Sequence, residues 1–227
     1  LFERTGAHRE LNSYPTRRSS DRGRSVALFS AALSPRNLYS DLRGMPADTA
    51  WLEVAAPFRA EQLEVRIASQ ISTRYRERQA SLAPIVELIA EQYRRQPGNY
   101  LAFFSSFEYQ QQVAALLAER HPGIPTWAQA PGMDEGARQG FLERFVAHGQ
   151  GVGFAVLGGA FGEGVDLPGT RLIGAFVATL GLPQVNPANE QFKQRLGRQF
   201  GAGFDYAYLY PGARKVIQAA LRVIRGD

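Results

Sequence analysis

Three polar side chains near the end of the sequence have the types and the spacing to bind phosphate. In the stretch QAALRVIR, Gln218, Arg222 and Arg225 stand at positions i, i+4 and i+7, which fall on one face of a helix. Planar guanidinium groups suit bidentate contacts with phosphate oxygens. The helix dipole also favours arginine at a helix C-terminus, so a solvated basic face remains the alternative interpretation.

A glycine-rich acidic stretch, GGAFGEGVDLPG at 158–169, has a backbone that a ligand could approach closely. It contains five glycines, and Glu163 and Asp166 stand on either side of Gly164. It follows an apolar run that predicts a buried strand, and ligands of α/β sheets bind at the carboxyl ends of strands. The stretch could contact ribose hydroxyls, a metal ion or basic side chains of a neighbouring domain. A plain turn is the alternative, but the excess of glycine favours a functional loop.

Two hydroxyl side chains and an aromatic ring follow another predicted strand, YLAFF. Ser105, Ser106 and Phe107 stand where this strand ends and the next predicted helix begins. Hydroxyl groups beside a helix N-terminus suit a phosphate of a nucleic-acid backbone. An ordinary N-cap explains the same residues equally well.

Several kinds of catalytic site are excluded by what the sequence lacks. It contains no G-x-x-x-x-G-K-[ST] phosphate loop, no G-x-G-x-x-G fingerprint and no cysteine. The histidines, His8, His121 and His148, are not spaced as metal ligands. We therefore expect no metal site and no self-contained hydrolysis. The absence of cysteine fits a reducing compartment, so we expect a cytoplasmic protein.

Positive charge is concentrated at the start of the sequence. The net charge is +5, and residues 1–24 contribute six arginines against three acidic residues, or +3. Because this stretch is polar and aperiodic, and its YPTRRSSD resembles translated adapter DNA, we expect a disordered or non-native head. The charge is weak evidence for a nucleic-acid partner. No apolar run approaches the length of a membrane span.

Apolar runs alternate with amphipathic segments along the rest of the sequence. The predicted strands are 25–33, 51–58, 63–71, 100–106, 125–130, 151–159 and 171–180. The predicted helices are 81–96, 107–121, 134–149, 186–201 and a final helix that begins near Pro211. Strands that are apolar throughout predict a parallel sheet with helices on both faces, which is an α/β fold. We expect Ile217, Leu221 and Ile224 to form the apolar stripe of the final helix that packs on the sheet.

Five motifs in order resemble the second motor domain of superfamily 2 DNA helicases of the DinG/XPD-like group. They lie within residues 25–227, and in sequence they are FSAALSP, GNYLAFFSSFEY, AVLGGAFGEGVDLPG, LIGAFVATLGLPQVNP and FDYAYLYPGARKVIQAALRVIR. The resemblance implies a motor of two RecA-like domains with three-layer parallel sheets. ATP and Mg²⁺ would bind in the cleft between the domains, and single-stranded DNA would cross both.

The resemblance also implies roles for individual residues. FSAALSP corresponds to the motif that couples hydrolysis to DNA, and Ala32 stands where the family usually has threonine. FFSSF corresponds to the strand-end motif that touches DNA, which would assign Ser105, Ser106 and Phe107 to DNA binding. In GEGVDL, Gly164 and Asp166 would face nucleotide and DNA, with Glu163 beside them.

The last helix resembles the arginine-finger helix of the family. Gln218, Arg222 and Arg225 match its polar positions, while Leu221 replaces the glycine that usually precedes the first arginine. In the family the phosphate loop, the magnesium-binding acids and any iron–sulfur cysteines belong to the first motor domain. We therefore expect a fragment that is inactive alone.

The resemblance divides the sequence into three parts. Residues 25–71 would end the first motor domain and link it to the second, and 72–227 would be the second domain, truncated at its C-terminus. A non-catalytic α/β nucleic-acid-binding module is the alternative function. A transferase with a Rossmann-like sheet lacks its cofactor fingerprint.

Overall fold

Helices and strands alternate along most of the described chain. The computed structural model describes residues 27, 35–46, 48–55, 60–159, 161, 167–221 and 223. The helices in this part are α1 (Arg36–Arg43), α2 (Arg78–Arg95), α3 (Phe107–Arg120), α4 (Glu135–Glu143), α5 (Pro187–Phe200) and α6 (Tyr210–Ala220). The strands are β1 (Asn99–Phe104), β2 (Thr126–Ala128), β3 (Gly151–Val156) and β4 (Gly174–Val177). A π-helical segment, Asp205–Leu209, leads directly into α6.

The strands form one parallel sheet in the order β2-β3-β1-β4. The central strand β1 is buried along its whole length. Its alternate residues enter two different cores, because successive side chains of a strand point to opposite faces. Tyr100 and Phe104 pack with α2 and α3, whereas Leu101 and Phe103 pack with α4 and α6. The predicted α/β architecture, with helices on both faces of a parallel sheet, is therefore confirmed.

Helix α1, near the start of the described chain, packs against segments near its end. Leu38 packs with Leu196 and Tyr206 in a small separate core. The Tyr206 hydroxyl also donates a hydrogen bond to the Asp41 carboxylate. These contacts join α1 to α5 and the π-helical segment. The expected division of the chain at residue 71 stays a prediction.

Two predicted strands are wrong in the residues that the structure describes. Neither 51–55 nor 63–71 forms a strand. Leu52 and Ile67 are each 86% exposed, so these apolar side chains do not enter a core. An apolar extended sequence becomes a strand only where a neighbouring strand accepts its backbone hydrogen bonds. No strand in the described ranges pairs with either segment. The predicted strand at 25–33 falls almost wholly outside them.

The remaining predicted elements are confirmed, with ends that differ from the predicted ones by a few residues. The largest difference is α4, which ends at Glu143 instead of continuing to 149. Phe145 nevertheless lies in the core beside Trp127, because the chain turns back toward the sheet after the helix. Asn186 caps α5 by accepting a hydrogen bond from the Asn189 N–H, as its position before Pro187 indicates.

Candidate functional site

The carboxyl ends of β1, β3 and β4 lie side by side at one edge of the sheet. The Leu157 N–H donates to the Phe104 carbonyl at 2.8 Å, and the Ala178 N–H donates to the Phe103 carbonyl at 2.8 Å. The segments that follow these three strands therefore start from the same edge. Ser105 follows β1 and Gly158 follows β3. This is the edge at which ligands of α/β sheets bind.

Most residues of the predicted nucleotide site lie outside the described part of the chain. This holds for Glu163, Gly164 and Asp166 in the glycine-rich stretch and for Arg222 and Arg225 after α6. Their assigned roles stay predictions. Gln218 is described, and it is half-buried on α6.

Helix α6 reaches the edge of the sheet through Lys215. Gly158 and Gly181 both have positive φ angles, +81° and +61°. A Cβ atom at Gly158 would lie 3.2 Å from the Lys215 Nζ, and one at Gly181 would lie 3.4 Å from the Lys215 Cβ and Cδ. The lysine chain therefore lies against two glycine backbones, one after β3 and one after β4. Sequence reasoning missed Lys215, although it stands three residues before Gln218 and shares its helix face.

The buried face of α6 differs from the predicted one. Ile217 and Leu221 are 42% and 39% exposed. Val216 and Ala219 face the core on the sheet instead, and the buried Gly212 lies against the loop after β4. A Cβ at Gly212 would lie 2.6 Å from the Leu180 carbonyl oxygen, so a larger residue would hold the helix away. The small residues set the rotation of the helix, and this leaves the bulky aliphatic side chains outward. Ile224 lies outside the described residues.

The end of β1 is built from side chains. Ser106 is the N-cap of α3, and its hydroxyl accepts a hydrogen bond from the Tyr109 N–H at 3.3 Å. Ser105 is exposed, and its Oγ accepts a hydrogen bond from the Arg78 Nη2 at 2.7 Å. Phe107 is half-buried in the first turn of α3. Ser106 thus has the capping role that was the alternative to DNA binding, while Ser105 remains at the surface.

Arg78 is the residue at this end that sequence reasoning missed. Its guanidinium carbon lies 5.1 Å from the Tyr75 ring centroid and 5.2 Å from that of Tyr109. Burial raises the pKa of Tyr109, and the charge of the nearby Arg78 partly opposes this. The signal in the sequence was the run RYRER at 74–78, directly before a predicted helix.

The described residues offer neither a metal-binding cluster nor a membrane-spanning helix. No three His, Cys, Asp or Glu side chains among them are close enough to hold a metal ion together. None of the helices in these ranges has both the length and the apolar character needed to cross a membrane.

Comparisons with known proteins identify the family. The family model for helicase C-terminal domains matches residues 89–227. A solved structure of an XPD helicase aligns with a TM-score of 0.64 and 16% identity, over 88% of this chain and 36% of its own. One of XPD in the apo form aligns with a TM-score of 0.61 and 16% identity, over 83% of this chain and 39% of its own.

This chain therefore spans well under half of either XPD chain. The likeness shows a RecA-like fold and confirms the expected fold class, and with the family match it bears out the resemblance to the second motor domain of DinG/XPD-like helicases. The chain belongs to the helicase C-terminal domain family.

Proposed function

We propose that this chain is the second motor half of an ATP-dependent DNA helicase. In this proposal it closes on ATP and Mg²⁺ held mainly by a first motor domain. It supplies an arginine finger to the nucleotide, and it binds single-stranded DNA. An iron–sulfur cluster, where one exists, would belong to the first domain.

The observation that carries the proposal is the meeting of separate segments at one edge of the sheet. Lys215 on α6 contacts Gly158, where the glycine-rich acidic stretch begins. Ser105 lies at the end of the adjacent strand β1. A motor domain needs its nucleotide-contacting and DNA-contacting segments on neighbouring strand ends, so that closure of one affects the other. This arrangement supports the proposal.

The arginine finger follows from the chemistry of phosphoryl transfer. Arg225, with Arg222 and Gln218, would stabilise charge on the γ-phosphoryl group only when the two domains close. Gly164, Asp166 and Glu163 would face the nucleotide from the glycine-rich stretch.

The DNA contacts would be made largely to the backbone. The exposed Ser105 hydroxyl and the first turn of α3, with Ser106 and Phe107, would contact phosphate groups. Binding of this kind depends little on base sequence and strongly on salt.

Rejoining the chain to a first motor domain tests the proposal. We expect no ATPase activity from the 227-residue chain alone. Together with a first motor domain, it should hydrolyse ATP, and single-stranded DNA should stimulate the rate. ATPase activity of the chain alone, or none from the joined protein, would contradict the proposal.

Substitution of the finger residue is the sharper test. In the joined protein Arg225→Ala should lower ATP turnover by about 10³- to 10⁵-fold and leave nucleotide binding largely intact. The matched control is Arg95→Ala, because Arg95 is an exposed arginine in the last turn of α2 and is not part of α6. Normal turnover in Arg225→Ala would exclude the finger assignment.

A non-catalytic nucleic-acid-binding module is the second candidate. It is favoured by one observation, which is that Ser105 and Arg78 lie within this chain and need no second domain to meet. In that case binding to DNA would be the same with and without nucleotide in the joined protein. A dependence on nucleotide would favour the motor.

A further inference from the structure

An exposed aromatic ring and an ordered guanidinium group lie together at the end of β1. Tyr75 precedes α2, Arg78 is its first residue, and Ser105 follows β1. We refer to these three residues as the Tyr75 patch. Tyr75 is 80% exposed, although it is a large aromatic side chain in a short 3₁₀ turn. An exposed ring of this kind is informative when polar groups accompany it.

Arg78 is held in one orientation by three contacts. Its guanidinium lies over the rings of Tyr75 and Tyr109, 5.1 and 5.2 Å from their centroids. Its Nη2 donates to the Ser105 Oγ at 2.7 Å. An arginine side chain loses much rotamer freedom when it is fixed, and here that loss occurs before any ligand arrives. The Tyr75 patch is therefore preorganised.

The charge of Arg78 is not neutralised by a carboxylate in the described part of the chain. Arg120 and Arg138 each lie within 3.5 Å of a glutamate oxygen, whereas no such contact exists for Arg78. A guanidinium has five N–H donors, and the hydrogen bond to Ser105 uses one of them. Arg78 is also the first residue of α2, where the helix dipole disfavours a cation. An anion at this position would relieve that repulsion.

The sequence around Tyr75 and Arg78 carries a net positive charge. The run at 74–78 contains three arginines and one glutamate. The Ser105 hydroxyl accepts from Arg78 and so retains its own proton for donation. The patch thus offers a phosphate two kinds of donor beside an open aromatic face.

We propose that the Tyr75 patch binds one nucleotide of single-stranded DNA. A base stacks on the face of Tyr75 opposite to Arg78, and the adjoining phosphate accepts hydrogen bonds from Arg78 and Ser105. An aromatic platform beside a positive group is the combination that single-stranded nucleic acid recognises. The inference rests on the proposed function, and it adds Tyr75 and Arg78 to the DNA contacts expected at Ser105.

The test uses the full 227-residue chain and two fluorescent oligothymidylates. Both have about 16 nucleotides, the upper end of typical single-strand site sizes. The first has a thymine base at every position, and the second has the same backbone with an abasic site at every position. Anisotropy titrations over a range of salt concentrations give the affinity and the salt slope. The variants are Tyr75→Ala, Arg78→Ala and Arg78→Lys. The control is Arg120→Ala, because Arg120 is also exposed but pairs with Glu87.

Tyr75 and Arg78 are expected to contribute to binding in different ways, which the two oligonucleotides and the salt slope distinguish. Tyr75→Ala should weaken binding to the normal oligonucleotide about tenfold and have little effect on the abasic one, because only the first can stack and because Ser105 and Tyr109 still hold Arg78. Arg78→Ala should weaken binding to both and reduce the magnitude of the salt slope by about 0.7, the value for one phosphate of a single strand. Arg78→Lys keeps the charge and should retain that slope. Arg120→Ala should resemble the wild type.

The outcomes separate the inference from the proposed function. If the wild-type chain binds neither oligonucleotide at low salt, the proposed DNA grip and the Tyr75 patch are both overturned. If it binds and Tyr75→Ala binds equally well, only the patch is overturned. Because Tyr75 is largely exposed, its replacement should not unfold the chain, and matching circular dichroism spectra confirm this. An equal loss for both oligonucleotides in Tyr75→Ala would also exclude base stacking.

Discussion

The candidate site has two halves, one at the end of β1 and one at the ends of β3 and β4, and different chemical groups form their surfaces. At the end of β1, side chains form the surface, and Arg78 contacts both Ser105 and Tyr109. At the ends of β3 and β4, the surface is glycine backbone with Lys215 lying across it. The first half is arranged by hydrogen bonds and ring contacts. In the second half, glycines leave the backbone uncovered, so that the Lys215 side chain can lie against it.

The difference has a consequence for tolerance to substitution. A site made of surface side chains loses a contact when one is replaced, and the fold around it remains. At the ends of β3 and β4 an added Cβ atom is disfavoured, because Gly158 and Gly181 have positive φ angles and a Cβ at Gly212 would meet the Leu180 carbonyl oxygen. We therefore expect the end of β1 to respond mainly in binding and the ends of β3 and β4 mainly in stability.

The largest expected effect on stability is at Gly212. In Gly212→Ala the new methyl group would lie 2.6 Å from the Leu180 carbonyl oxygen and close to Leu182. Helix α6 would have to move away from the loop after β4, which should lower the free energy of unfolding by about 1–3 kcal/mol. Urea denaturation followed by circular dichroism measures this change.

Gly140→Ala is the matched control. Gly140 is also a helical glycine, in α4, and a Cβ there would meet no atom within 4 Å. Alanine favours a helix over glycine by about 0.5–1 kcal/mol, so this variant should gain stability. Opposite signs for the two substitutions would support the contrast, and equal signs would remove it.

A smaller loss is expected at the end of β1, from Tyr109→Phe. Ser81 Oγ donates its own proton to the Arg78 carbonyl at 2.6 Å, so the buried Tyr109 hydroxyl is the donor in the bond between Tyr109 and Ser81. Removing it should lower the free energy of unfolding by about 1 kcal/mol. Tyr75→Phe is the control, because the exposed Tyr75 hydroxyl makes no hydrogen bond with described residues. Equal losses in the two variants would show that the Ser81 bond contributes nothing.

The sequence predicted the sheet well because its signal is local. The apolar run 100–104 is buried on both faces, as expected for a strand inside a parallel sheet that helices cover on both sides. The segments 51–55 and 63–71 also contain several apolar residues but remain largely exposed. Whether a run becomes a strand depends on a partner elsewhere, and composition does not contain that information.

The candidate site was predicted in part for a related reason. Ser105 was found because it follows a strand, and position along the chain is enough to place it. Arg78 and Lys215 were missed because each lies on a helix that is distant in sequence from the strand end that it contacts. Arg78 and Ser105, for example, are 27 residues apart. The rotation of α6 was wrong because the small residues Gly212 and Ala219, rather than the largest apolar ones, pack against its neighbours.

High pH should weaken the chain through the buried tyrosine at the end of β1. Burial raises the pKa of Tyr109 above its ordinary value of about 10. As the pH rises past 10 the unfolded chain loses this proton first, so its free energy falls relative to the folded state. The contribution is fully present below the unfolded pKa and is lost as the pH rises through the folded pKa.

Tyr109→Phe removes that proton and should flatten the decline. Other buried tyrosines contribute in the same direction, since burial and the hydrogen bond to Asp41 raise the pKa of Tyr206 to about 12. The informative quantity is therefore the difference in slope between Tyr109→Phe and the wild type from pH 9 to 12. Identical slopes would show that Tyr109 titrates alike in both states.

The smallest expected effect is at Lys215, and it separates backbone packing from charge. Its alkyl chain lies against Gly158 and Gly181, so Lys215→Met keeps most of the packing and removes only the ammonium group. No carboxylate pairs with that group in the described part of the chain. Lys215→Met should therefore change the free energy of unfolding by less than about 0.5 kcal/mol, and Lys215→Ala, which loses three half-buried methylenes, by about 1 kcal/mol. If methionine destabilised the chain as much as alanine, the ammonium would have a stabilising partner, and this half of the site would depend on side-chain charge after all.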